Sequence, residues 1–514
     1  MICYRPMEGQ LPAAPVRHPG RSLPLPWQAL VAVLGALAIA PSALGHPVVA
    51  LAAAAGLCFA ATALVRVQWY QAAAAVLTGA LPFLWAWPAL RPDEYRLTAY
   101  AAIAAAAVAA ASLAARRTFP LTAGSAYLAY VGIASLVVVL AFPARPLRLA
   151  DLDTLLLAAS AYVVIRLSGR RVRLFWLAAL LGLAAVEAFL GVLQVFTGWP
   201  QFPEVLPELF RSERNYFAYL VPWLSPEVVQ ASGTFSHFNG LGALLSLTAP
   251  IAFALWAADL RSPPRLALFV LLALGTVLTF SRGALLGAVA GCLLGLAAVG
   301  ERSRRSLALL LACVGGIALL LSLNAVTQYY ETTQNVDVRT QTWSYAAHVA
   351  VSRPALLVLG YGYRYFHTEV LAEGRGSEGP APGVTRYMSS LHSWPLQLFL
   401  EFGVAGSVLF ALWLATAYRR GLGRRRTVLT VALLAGATGF LCHQALDTVF
   451  FEYQGALFVA VLALTEAEAL AASGTFAAPA PPGGPAQPAV DGPASRPPAP
   501  AGRGRDAAAR CSPR

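Results

Sequence analysis

Four short polar clusters interrupt a chain made mostly of apolar residues, and each holds groups suited to a charged or hydroxylated ligand. The first runs from Ser232 to Gly242 and leads straight into an apolar stretch. Ser232, Thr234 and Asn239 offer neutral donors there, and the glycines let backbone or ligand approach closely. The same pattern also describes a helix N-cap with a flexible lead. The second is Thr279–Ala284, where Arg282 stands between two apolar stretches and must pair, snorkel or bind an anion. Ser281, just ahead of it, adds a hydroxyl. The third opens with Asp337, Arg339 and Trp343 and continues through Arg353 to Gly360-Tyr361-Gly362-Tyr363-Arg364. Arg339 and Trp343 are four apart and share a face if the segment is helical. An amphipathic helix on lipid headgroups would read the same way. In the fourth, His392 precedes Trp394, Pro395 and Glu401 at the head of another apolar stretch. Its imidazole titrates near neutral pH.

Together these groups suggest one chemistry. Guanidinium groups bind phosphate in a bidentate fashion, and a histidine beside a hydroxyl suits general-base catalysis. The proposal needs Arg282, Arg339 and His392 on the same side of whatever the apolar stretches cross.

Those stretches define the class. With 58% hydrophobic and 12% charged residues over 514, the chain cannot build a charged, water-soluble surface. A bilayer-spanning helix needs about 20 mostly apolar residues. Candidates fall near 27–45, 47–65, 71–90, 98–115, 121–142, 151–168, 172–198, 237–258, 265–280, 283–300, 306–323, 393–418, 427–446 and 454–472. The expectation is an all-α, polytopic transmembrane bundle of about 12–14 spans, with a large extracytoplasmic loop carrying short helices. The expected organisation is a cytoplasmic lead (1–26), N-terminal transmembrane helices (27–198), an outer loop (199–236) and transmembrane helices with the Ser281-Arg282-Gly283 turn (237–323). A large periplasmic loop (324–391), C-terminal transmembrane helices (392–472) and a disordered cytoplasmic tail rich in Pro, Ala and Gly (473–514) complete it.

Arginine placement supplies the orientation. With a cytoplasmic N-terminus, Arg66, Arg116, Arg117, Arg166, Arg170, Arg171, Arg173, Arg261, Arg265, Arg302, Arg304, Arg305, Arg419, Arg420 and Arg424–Arg426 fall at inner loops. Only Arg91, Arg96, Arg145, Arg148 and Arg282 fall at short outer ones. This parity puts Arg282, Arg339 and His392 on the outer side. The net charge of +13 is spread over short loops rather than gathered on one face, which argues against nucleic acid as a partner. Six dispersed cysteines form no metal or disulfide pattern.

The order of these motifs over roughly residues 180–465 resembles the O-antigen ligase and O-antigen polymerase superfamily. The resemblance implies glycan transfer at the outer face of the bacterial cytoplasmic membrane. The donor would be a glycan on undecaprenyl diphosphate, and the acceptor lipid A–core, another glycan repeat unit or, as in a third kind of relative, a protein hydroxyl. It also implies that Arg282 and Arg339 hold the diphosphate while His392 activates the acceptor hydroxyl, without cofactor or metal. Thr234, Asn239, Ser281, Trp343 and Arg364 would line the substrate site. His237 and Phe238 depart from the Asn-Pro pair common in relatives. Asp447 and Glu452, at the last outer turn, are candidates to orient His392 or an arginine. Two other classes compete. A metal-dependent polyprenyl-phosphate-sugar glycosyltransferase would use Asp93 and Glu94, or Asp151 and Asp153. A transporter of polysaccharide or lipid would use Glu187 and Gln194, which share a helix face.

Overall fold

The computed structural model describes residues 121–141, 149–197, 231–233, 235, 238–296, 335–352, 354–363, 391, 393–445 and 453–473. The expected spans before residue 121, the span near 306–323 and the C-terminal tail lie outside these residues. Every regular element among the described residues is helical. In chain order they are α1 (Ala123–Ala141), α2 (Leu149–Leu167), α3 (Arg170–Thr197), α4 (Phe238–Ala257), α5 (Pro263–Leu278), α6 (Arg282–Gly295), α7 (Asn335–Ser352), α8 (Pro354–Leu359), α9 (Trp394–Gly421), α10 (Val428–Gln444) and α11 (Tyr453–Ser473). Among the described residues four stretches, Arg170–Phe196, Phe238–Ala257, Trp394–Gly421 and Gln454–Ala472, are long and apolar enough to cross a membrane, with shorter apolar helices beside them.

The burial pattern is that of a bundle in lipid. Val404, Val408 and Leu412 form an exposed apolar stripe along α9, while Phe410, Trp413 and Ala417 on the other side are buried. Leu286 and Leu293 on α6, and Val270, Leu274 and Val277 on α5, are likewise exposed. In water such surface would be a liability; against acyl chains it is matched.

Helix α4 is the axis, buried along nearly its whole length, and α3, α5, α6, α10 and α11 pack around it. Because lipid removes most of the hydrophobic drive between helices, close backbone approach must hold them together. Gly283, Gly287, Gly291 and Gly295 recur every four residues on α6 and form one smooth face. A Cβ on Gly287 would collide with Gly439 O of α10, and one on Gly291 with Ala435 O. Pro250 inside α4 cannot donate to Ser246 O. That carbonyl lies directly against Gly439, where any side chain would collide with it.

Two sets of polar side chains mark opposite ends of this bundle. At one end Glu466 of α11 is paired with Arg166 of α2 at 3.6 Å and accepts from the Tyr162 hydroxyl at 2.8 Å. Glu468 is paired there with Arg173 of α3 at 3.1 Å. At the other end stand Gln194 of α3, Ser281 ahead of α6, His443 of α10 and Gln454 of α11. Helices α3 and α11 run from one set to the other.

Candidate active site

The second end of the bundle gathers described parts of the first and second motifs with Trp343 of the third and the head of the fourth. Helix α5 stops at Leu278 and α6 begins at Arg282, so only Thr279, Phe280 and Ser281 connect them. Arg282 is therefore the first helical residue rather than a loop residue. The reason is local: Ser281 is the N-cap, and its Oγ accepts from the Ala284 N–H at 3.3 Å. Thr279 Oγ1 accepts from the Ser281 N–H at 3.2 Å and donates to Thr276 O at 2.7 Å. Phe280 sits at φ 54°, in the left-handed region that a bulky side chain enters only under external constraint. The turn leaves Ser281 buried and Arg282 exposed.

The first motif packs onto this turn. Gln194 of α3 accepts from the N–H groups of Ser232 and Gly233, at 3.0 and 2.8 Å, and donates to Gly233 O at 2.6 Å. Glu187, buried two turns earlier on the same face of α3, lies against Gly233. Both side chains thus hold the Ser232–Gly233 turn, which Ala231 ties to α5 through its N–H and Leu278 O at 3.0 Å. Asn239 is half-buried in the first turn of α4. Gly242, one turn on, rests on Ser281 and Ala284. Thr234 and His237 lie outside the described residues.

The third and fourth motifs meet directly. Trp343 on α7 is about half-exposed, and its Nε1–H donates to Leu391 O at 2.7 Å. Arg339 is one turn earlier on α7, on the face that carries Trp343; its side chain is not among those described. Leu391 and Ser393 flank His392, which lies outside the described residues, as do Arg364, Asp447 and Glu452. Trp394 opens α9 and donates its indole N–H to Leu441 O of α10 at 3.3 Å. Ser281 reaches the same last turn of α10, with its Oγ 3.5 Å from His443 Nε2. The Arg282 turn and the head of α9 therefore border one turn of α10.

The Gly-aromatic-Gly run is a turn, as its composition predicts, with Gly360 at φ 81° and Gly362 at φ 86°. It docks far along α9, where Gly403 at φ 65° breaks the helix. Tyr361 and Gly362 donate their N–H groups to Leu400 O (2.9 Å) and Glu401 O (2.7 Å). Tyr130 of α1 donates its hydroxyl to Leu359 O and Phe402 O, at 3.1 and 3.0 Å. Non-helical backbone at such depth is stable only where protein satisfies it, and these bonds do so. Glu401 is fully buried and accepts from Gln397 Nε2 at 3.0 Å.

Sequence reasoning passed over His443 and Gln444, both fully buried at this end. Two adjacent polar residues closing an otherwise apolar helix were the available signal. Among the described residues no three His, Cys, Asp or Glu side chains converge as metal ligands would.

The fold and the site end together define a multi-pass helical membrane protein with a polar site where several helix ends meet. Residues 267–411 match the family model described as O-antigen ligase, a match over part of the chain that supports its likeness to the O-antigen ligase and polymerase superfamily. The matched stretch contains the Arg282 turn, α7, α8 and the broken first half of α9. Comparison with curated proteins finds no match, and comparison with solved structures finds none. The matched segment thus points to a glycan ligase or polymerase in general.

Proposed function

We propose that the protein transfers glycan from undecaprenyl diphosphate to an acceptor hydroxyl at the outer face of the bacterial cytoplasmic membrane. The acceptor is lipid A–core or the next glycan repeat unit. Arg282 and Arg339 hold the donor diphosphate, and His392 is the general base. Thr234, Asn239, Ser281, Trp343 and Arg364 border the bound sugar and diphosphate. The observation that carries this reading is the Trp343–Leu391 bond, which brings the helix bearing Arg339 to the residue ahead of His392. The Arg282 turn borders the same end through α10.

The chemistry needs little else. The acceptor oxygen attacks the anomeric carbon as the bond to the diphosphate oxygen breaks, and the electron pair leaves with the diphosphate. His392 takes the hydroxyl proton. Diphosphate is a good leaving group, so two guanidinium groups facing its growing charge replace a general acid. Direct attack inverts the anomeric centre. Of the two residues that a transporter would use, Gln194 instead bonds the Ser232–Gly233 turn.

The test is transfer in vitro with purified full-length protein, lipid-linked glycan and candidate acceptors. Arg282→Ala, Arg339→Ala and His392→Ala should each lower transfer by about 10²–10³ or more with the protein still inserted. Normal transfer by all three variants would overturn the mechanism, and activity lost instead on Asp93→Asn with Glu94→Gln would favour metal-dependent chemistry.

A further inference from the structure

His443 touches both chain neighbours of Arg282. Its Nε2 lies 3.5 Å from Ser281 Oγ, and a Cβ on Gly283 would stand 3.2 Å from His443 Cδ2 and 3.2 Å from its carbonyl oxygen. His443 is fully buried, while Arg282 between its two contacts is exposed. Gln444 Nε2 donates to His443 Nδ1 at 2.8 Å. With the Gln444 amide nitrogen as donor, Nδ1 accepts and a neutral His443 ring carries its proton on Nε2, facing Ser281. Ser281 Oγ also caps α6 through Ala284, so one short chain of contacts runs from Gln444 through His443 to the first turn of α6.

The turn requires such support. Phe280 holds a left-handed backbone, which relaxes unless its neighbours over-determine it. From one side the turn is fixed by Ala231, which bonds Leu278 O, and by Gly242, which rests on Ser281. From the other side it is fixed by His443. The α6 glycines continue the contact, since Gly287 packs against Gly439 and the His443 backbone.

We propose that His443 is a positioning residue for Arg282: by holding Ser281 and Gly283 it fixes the first turn of α6 and so the direction in which the guanidinium projects. The inference rests on the reading of Arg282 as a diphosphate ligand.

The experiment measures binding of undecaprenyl diphosphate to the full-length protein in lipid nanodiscs, with thermal stability recorded alongside. His443→Leu, which keeps bulk but removes the bond, should weaken binding about tenfold. Ser281→Ala breaks the same bond from the turn side and should weaken it similarly, and the double variant should be no worse than either. His443→Gln, whose amide can donate to Ser281, should recover most of the affinity. Arg282→Ala is the reference arm. Wild-type affinity in Arg282→Ala would overturn the diphosphate reading and this inference with it. Weak binding in Arg282→Ala with wild-type binding in His443→Leu would overturn the inference alone. So would a His443→Gln variant as weak as His443→Leu. If His443→Leu fails to fold, Gln444→Leu, which removes the partner of His443 Nδ1, decides, and wild-type affinity there overturns the proposal.

Discussion

The Trp343 indole N–H donates to the carbonyl of Leu391 across 2.7 Å, and this one bond joins helix α7 to the chain just ahead of His392. Leu391 is fully buried, so without Trp343 its carbonyl would lack this donor in a dry environment. The bond fixes the distance between two segments that are 48 residues apart in the chain. Trp343→Phe keeps an aromatic ring but removes the donor. Glycan transfer should fall about tenfold, in line with a net loss near 1 kcal/mol or slightly more. Unchanged transfer, with no rise in protease cleavage between α7 and α9, would show that the bond is dispensable.

The glycine face of α6 predicts a stability difference between two like substitutions. Gly287→Ala drives a methyl group into Gly439 O and should destabilise by about 1–3 kcal/mol. Gly132→Ala on α1, where a Cβ meets nothing within 4 Å, should be neutral or stabilising by a few tenths to about 1 kcal/mol. Thermal unfolding in one detergent compares the pair, and equal melting temperatures would contradict the packing.

At the far end of the bundle, Arg166 and Glu466 are both buried and their side chains lie 3.6 Å apart. Arg166→Leu leaves the Glu466 carboxylate without this countercharge and should destabilise by about 3–5 kcal/mol. Adding Glu466→Leu removes the stranded charge and should restore much of the loss. Transfer per folded molecule should stay near wild type throughout, because both residues stand at the end away from Arg282. A double variant less stable than the single one would refute the pairing.

Gly403 breaks α9 at a positive φ, and its Cα faces Val358 O. Gly403→Ala meets backbone strain of about 1–3 kcal/mol, because φ 65° with ψ −169° is a region essentially restricted to glycine, and a collision with that carbonyl. The expected result is release of the Leu359–Tyr363 segment from α9, read as faster hydrogen exchange at Tyr361 and Gly362. Glycan transfer should fall with it. Protection equal to wild type would mean the break is incidental.

Much of the helical layout was legible in the chain, because lipid imposes a length and an apolarity that a sliding count detects. Helices α1 to α6 and α9 to α11 occupy the stretches where hydropathy predicts them, with ends shifted by a few residues. Arginine parity separated Arg166, Arg170 and Arg173 from Arg282, and the structure has them at opposite ends of the bundle. The polar motifs were also visible, since donors, guanidinium groups and imidazole stand out against so apolar a background. The α6 glycines were equally readable at their spacing of four, although a period of small residues does not name the partner helix.

By itself, then, the sequence determined the class of protein, the approximate helices, their alternating direction and the residue types available for chemistry. Tertiary structure alone decided which helix ends meet. Gln194 is bound up with a turn 38 to 39 residues away, His443 stands behind a turn 162 residues before it, and the glycine turn at Gly360 docks at the break in α9. None of these pairings leaves a local trace, because each depends on backbone surfaces fitting closely across space rather than on any periodicity along the chain. Hydropathy reports where a segment sits relative to lipid, and only packing reports what it touches.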